Sequence, residues 1–242
     1  MKSVLHQEGN KAMNKEPFAG DKKLPMTSLL AAPERRLIDY WAPRFPRFIE
    51  GYHLTLSTIL WSGGTILFGW LAQYSILWLW GSSAMLFFQW FTDSFDGSLG
   101  RHRDTGIPKW GYYMDHFLDY MFMCAILVGY SFILRPQSRH LLLLVMPVYG
   151  AFMVSSYLSF AATNEFKITY LRLGPTELRI LLILLNIAIM IFGIGFFESA
   201  LPYALAVLFL GLCRVVFRTQ KYIWKMDMED KGKRFAAQDK AN

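Results

Sequence analysis

Four aspartates near the middle of the chain stand in two pairs at helical spacing, Asp93 with Asp96 and Asp115 with Asp119. Residues three or four apart on a helix share a face, so each pair presents two carboxylates side by side. Four such groups brought together repel one another and are driven to take up protons. Two divalent cations would neutralise them, and an all-oxygen donor set favours Mg2+ or Mn2+. Gly97 follows Asp96 and permits close approach of a ligand to the backbone. Arg101, one turn further on, offers a planar fork for two phosphate oxygens, and Gly111 keeps bulk away from the second pair. Metals, a guanidinium and glycines around one cavity describe a site for a diphosphate. Two metals there stabilise both the attacking and the leaving oxygen of a displacement at phosphorus.

The elements that must carry these residues are apolar. The 242-residue chain is 54% hydrophobic and only 18% charged, below the quarter or so usual for a soluble domain. Its apolar residues fall in six blocks, at 52–72, 76–95, 112–134, 141–162, 178–197 and 201–217. Each is close to the roughly 20 residues that a helix needs to cross the hydrocarbon core. The expected fold is therefore an all-α integral membrane protein of six transmembrane helices. The last two blocks are separated only by Glu-Ser-Ala-Leu, which predicts a tight helical hairpin at 198–201. A membrane-embedded aspartate costs about 2.5–3.5 kcal/mol even on the lenient insertion scale. Four kept together at the ends of apolar blocks call for a functional reason.

Charge placement predicts the orientation. Of the 25 Lys and Arg residues, 23 fall before the first block, in the 97–111 and 163–179 connections, or from Arg214 onward. Arg135 and Arg139 are the exceptions. By the positive-inside rule both termini and the aspartate site are cytoplasmic, and six spans satisfy the even number this requires. The net charge of +7 accordingly reads as topology and contact with anionic headgroups, not as nucleic-acid binding. Cys124 and Cys213 both fall within apolar blocks, which argues for free thiols rather than a disulfide framework or zinc site. Residues 1–33 read as a flexible polar arm without the features of a cleaved signal peptide. Residues 34–50 mix basic and aromatic side chains, as in a short helix lying among headgroups, broken at Pro43 and Pro46. Residues 51–218 would form the catalytic domain and 219–242 a basic cytoplasmic tail.

The motif resembles the signature of the CDP-alcohol phosphotransferases (CDP-alcohol phosphatidyltransferases), Asp-x2-Asp-Gly-x2-Ala-Arg-x8/9-Gly-x3-Asp-x3-Asp. The chain reads Asp93-x2-Asp96-Gly97-x2-Gly100-Arg101-x9-Gly111-x3-Asp115-x3-Asp119, seven of eight fixed positions, with Gly100 where alanine is usual. The resemblance implies a membrane transferase of phospholipid synthesis, with Asp93, Asp96 and Asp115 as metal ligands. Asp119 would lie near the second metal and act as general base. Gly97 and Arg101 would hold the CDP diphosphate, and Gly100 and Gly111 would give it room. The implied partners are a CDP-linked lipid or a CDP-aminoalcohol, an acceptor alcohol, and a second copy in a homodimer. The Asp115-His116-x-x-Asp119 ending is similar to that of the choline/ethanolamine phosphotransferases. The segment Leu173 to Arg179 resembles a Gly-Pro-x-Glu stretch near their acceptor side, which makes His116, Glu177 and Arg179 candidate acceptor or accessory residues. The chain is much shorter than those enzymes and lacks the Pro-Asn pair that many family members carry before the first span.

Plainer roles exist for several of these residues. Arg103 and Lys109 read as topology charges, His116 as a packed histidine, and Glu177 as an acid favoured by a helix dipole. Pro175 suits a helix start, and Ser62-Gly63-Gly64 suits close helix packing. Two other functions fit parts of the pattern. An intramembrane prenyltransferase also binds diphosphates through magnesium and aspartates, but would carry Asn where Thr92 stands. An ion carrier would spread its acids through the membrane depth. Arg101→Lys is expected to raise the KM for a CDP-linked donor, because an ammonium cannot copy the bidentate fork. Unchanged kcat and KM would make Arg101 a topology charge only.

Overall fold

The computed structural model describes residues 30–164 and 174–241, and the regular structure among them is entirely helical. The polar arm up to residue 29 lies outside the described residues, as do Lys167, Arg172 and Leu173 of the fourth connection. Among the described residues seven α-helices follow one another: α1 (Ala31–Trp41), α2 (Gly51–Leu71), α3 (Leu79–Arg103), α4 (Pro108–Ile133), α5 (Pro136–Thr163), α6 (Pro175–Phe192) and α7 (Ile194–Ala241).

Local chemistry explains most of the boundaries. Pro108, Pro136 and Pro175 open α4, α5 and α6, where a missing N–H costs nothing and φ is already helical. Asp104 and Asn164 end α3 and α5 in the left-handed region, at φ 55° and 56°, which their short polar side chains tolerate. The expected hairpin at 198–201 is displaced. The chain turns at Gly193, whose φ of 82° is open to glycine, and Glu198 to Leu201 belong to α7. That helix also runs through the proposed tail boundary without a break. α1 ends at Trp41 and gives way to a 3-10 turn over Ala42–Arg44 that contains Pro43, while Pro46 lies beyond that turn.

Five helices, α2, α4, α5, α6 and α7, are long and apolar enough to cross a membrane. The remaining expected span, α3, is 25 residues long but more polar. Its Ser82, Ser83, Gln89 and Thr92 are nevertheless buried, so its polarity faces other helices. It packs against α2 and α6, while α2 packs on α4 and α5 on α7.

Away from the aspartates the bundle is knit by a greasy core, with Leu79 and Leu86 of α3 meeting Phe122, Ile126 and Tyr130 of α4 and Ile189 of α6. Inside it, Tyr130 Oη donates to Asn186 Oδ1 at 2.7 Å and Asn186 Nδ2 donates to Ser83 Oγ at 3.0 Å. This satisfied polar link ties α3, α4 and α6 together. At the same end, the buried Glu198 of α7 accepts from the Arg135 backbone N–H at 2.8 Å and pairs with its guanidinium. The α2–α4 crossing depends on Gly69 and Gly129, whose backbones touch. Of the paired glycines in α2, Gly64 makes room for Met85, whereas Gly63 faces open space. Gly69→Ala is therefore expected to cost about 1–3 kcal/mol by overpacking, read as a lower melting temperature. Gly63→Ala should leave it unchanged or slightly raised, since alanine is the better helix former.

Candidate active site

The four aspartates converge where α2, α3, α4 and α6 meet. Asp93 and Asp96 lie on α3 and Asp115 and Asp119 on α4, all half-buried. Carboxylate oxygens of Asp93, Asp96 and Asp115 lie within 4.8 Å of one another, and so do ligand atoms of Asp115, His116 and Asp119. Asp115 is common to both groups. The first trio is purely oxygen, the donor type that hard divalent cations prefer.

Three neighbours fix these carboxylates. Arg179 of α6 is only 8% exposed, and its Nη2 donates to Asp93 Oδ2 at 2.8 Å and to Asp119 Oδ1 at 3.3 Å. Gln89 of α3, fully buried, donates from Nε2 to Asp119 Oδ1 at 3.0 Å. Thr55 of α2 donates to Asp96 Oδ2 at 2.7 Å. The buried Arg179 cation and neutral donors from Gln89, Thr55 and the Gly97 backbone N–H, which donates to Asp96 Oδ1, thus stand against four acids.

A cavity of about 260 Å3 opens beside Asp96 and Asp115. Gly97, Gly100, Arg101 and Gly111 line it, the residues expected to hold the diphosphate. Each glycine has a different reason. A Cβ at Gly97 would stand 3.2 Å from Arg101 Nη1, so its absence frees the guanidinium. At Gly100 it would stand 3.0 Å from Gly106 Cα. The usual alanine is therefore replaced where the loop after α3 folds back, Thr105 N donating to Gly100 O at 3.1 Å. At Gly111 a Cβ would meet nothing within 4 Å and would project into free space. Arg101 itself is exposed, and its Nη2 donates to Ser98 Oγ at 3.2 Å.

The other candidates separate. Arg179 belongs to the aspartate cluster. Glu177, in contrast, closes the start of α6, accepting from the backbone N–H of Gly174 at 2.9 Å and of Leu30 at 3.0 Å. His116 lies among rings, with Tyr112 at 4.5 Å and Tyr157 at 5.7 Å between centroids, and its Nδ1 stands 3.4 Å from Asp115 Oδ2. Gln89, Thr55 and Glu34 were not expected. Glu34 of α1 accepts from Trp90 Nε1, Ser94 Oγ and Thr176 Oγ1 at 2.9–3.2 Å, joining α1 to α3 and α6. A buried amide one turn before Asp93 was a legible signal for Gln89. No local spacing announces the other two.

The model of the CDP-alcohol phosphatidyltransferase family matches residues 53–217, well over half of the chain. The chain belongs to that family. No curated protein and no solved structure matches it. Membership makes it a transferase of phospholipid synthesis that works on a CDP-alcohol and an acceptor alcohol, and its apolar helices make it an integral membrane protein.

The two arginines differ in what they support. Removing one partner of a buried pair costs about 3–5 kcal/mol, because the other charge is stranded. Arg179→Ala is expected to lower stability by about that amount, measured by thermal or denaturant unfolding in detergent. Arg101→Ala, at an exposed position, should stay within about 0.5 kcal/mol.

Proposed function

We propose that this chain is a metal-dependent transferase that moves a substituted phosphate group from a CDP-linked alcohol to an acceptor hydroxyl and releases CMP. The observation that carries this reading is the convergence of Asp93, Asp96 and Asp115 within 4.8 Å, beside a cavity lined by Gly97, Gly100, Arg101 and Gly111. Asp93, Asp96 and Asp115 would hold one divalent cation, and Asp115 and Asp119 would serve a second. Mg2+ or Mn2+ bound there would neutralise the carboxylates and offset charge on the diphosphate.

The chain's own residues do the rest. Arg101 grips diphosphate oxygens with its fork, and the glycines leave the diphosphate room against α3 and α4. Asp119, held by Arg179 and Gln89, takes the proton of the acceptor hydroxyl. The acceptor oxygen attacks the phosphorus distal to cytidine. The bond from that phosphorus to the bridging oxygen breaks, and CMP departs with that oxygen. Developing charge on the phosphate is met by the guanidinium of Arg101.

The same reading places α3 as a sixth span. At about 1.5 Å per residue it is long enough to cross the hydrocarbon core, and its polar side chains turn inward. Six spans put both termini on one side, and the basic connections make that side, with the cavity, cytoplasmic. The amphipathic α1, with Leu37, Tyr40 and Trp41 exposed, would lie in the headgroup layer.

The test is Mg2+-dependent release of CMP by the purified protein in lipid. CDP-diacylglycerol, CDP-choline and CDP-ethanolamine would each be offered with a mixed acceptor pool. Release from one donor is expected and identifies the branch. Asp119→Asn should lower kcat by about 10²–10⁴, the usual contribution of a positioned base. Mutant turnover equal to the parent's would remove Asp119 from that role, and release of diphosphate instead of CMP would point to prenyl transfer.

A further inference from the structure

Arg103 reads in the sequence as a topology charge, and we infer that it is instead a positioning residue for two walls of the cavity lined by Gly97 and Arg101. This rests on the CDP-linked reading above. Arg103 is the last residue of α3 and occupies none of the signature's fixed positions. It does not line the cavity. Its guanidinium reaches the connection between α1 and α2, where four backbone carbonyls converge on it. Nη1 donates to Ile49 O at 2.5 Å and Arg47 O at 3.4 Å, and Nη2 donates to Phe45 O at 2.9 Å and Pro46 O at 3.0 Å. Nη1 also stands 4.0 Å from Glu50 Oε1, and Glu50 Oε2 accepts from Thr105 Oγ1 at 2.8 Å.

This clasp acts on the cavity through α2. Glu50 caps that helix, its backbone N–H donating to His53 Nδ1 at 3.0 Å. Gly51 then lies so close to α3 that a Cβ would stand 2.5 Å from the carbonyl oxygen of Asp96. One turn on, Thr55 holds the Asp96 carboxylate. Gly51, Tyr52 and Thr55 line one side of the cavity, and Thr105 and Gly106 line the adjoining loop. Arg103 and Glu50 join these two walls. Packing of Phe45 on Phe91 and Phe95, with centroids 6.0 and 5.1 Å apart, presses the same connection onto α3.

The two roles of Arg103 make different demands. A topology charge needs one positive charge, which lysine keeps. Four carbonyls spread over five residues need the fixed, five-donor fork of arginine. Lysine should therefore behave as a loss.

The decisive experiment measures CDP binding in Mg2+ by the full-length protein in lipid nanodiscs, beside kcat at saturating donor. Arg103→Lys is expected to weaken CDP about tenfold, as loss of one charge-assisted hydrogen bond does. Its kcat at saturating donor should fall less than about twofold, the sign of a lost binding geometry rather than lost chemistry. Thr105→Val, which removes a single exposed hydrogen bond, should weaken CDP about threefold with an unchanged melting temperature. Parental CDP affinity in Arg103→Lys overturns the inference. So does a proportionate fall in kcat, affinity and melting temperature, which would mark a general structural role. If Arg103→Lys does not fold, Thr105→Val decides, and parental affinity there overturns the inference as well. A parent that binds no CDP overturns the nucleotide reading, and this inference with it.

Discussion

Holding four carboxylates together at one end of an apolar helix bundle is the constraint on which the rest of this structure depends. Charges in low dielectric repel strongly, and an uncompensated one costs several kcal/mol. The chain answers from three helices at once. Arg179 enters from α6 and bridges Asp93 to Asp119. Gln89 and Thr55 supply neutral donors from α3 and α2. The acids remain in excess, which suits a site built for cations and a phosphate-bearing partner. Only α6 contributes a buried cation to the cluster among the described residues, so the seating of α6 becomes a condition for the site.

That seating is secured from both ends. Far from the site, Asn186 links α6 to Ser83 and Tyr130 within the greasy core. Near it, Glu34 of α1 binds Thr176, one turn before Arg179, while also gripping Trp90 and Ser94 on either side of Asp93. The family match begins at residue 53, yet Glu34 and the carbonyls of residues 45–49 lie before it. Residues 30–50 are thus joined to α3 and α6 by half-buried and exposed hydrogen bonds, not merely tethered to them. A short amphipathic helix gains specific placement this way, which interfacial partitioning alone does not provide.

α3 shows how composition and position trade against each other. Its serines, glutamine, threonine and aspartates dilute its hydropathy until it falls short of the five helices apolar enough to cross a membrane. Ser83, Thr92 and the Gln89 amide nitrogen find hydrogen-bond partners within the bundle, which offsets the cost of burying them. A helix surrounded by helices needs an apolar surface only where it meets lipid.

The residues that local spacing can express were legible before any coordinates: the two aspartate pairs, Gly97, Arg101 and Gly111 around them, and long apolar helices with prolines at their starts. Each depends on the helical period or on one residue's backbone preference. The family signature added Gly100, whose reason, the returning Gly106, is tertiary. The expected turn at 198–201 lies five residues or more beyond the actual one between α6 and α7, because a polar tetrapeptide resembles a turn while Gly193 supplies the positive φ. Arg179, Glu177 and His116 were named together, and only packing separated a partner of the aspartates from a cap and a ring-stacked histidine. Thr55, Glu34 and the role of Arg103 were beyond reach. Their partners lie 41 to 142 residues away, and contacts at that separation follow from how helices cross, which no periodicity within a single helix records.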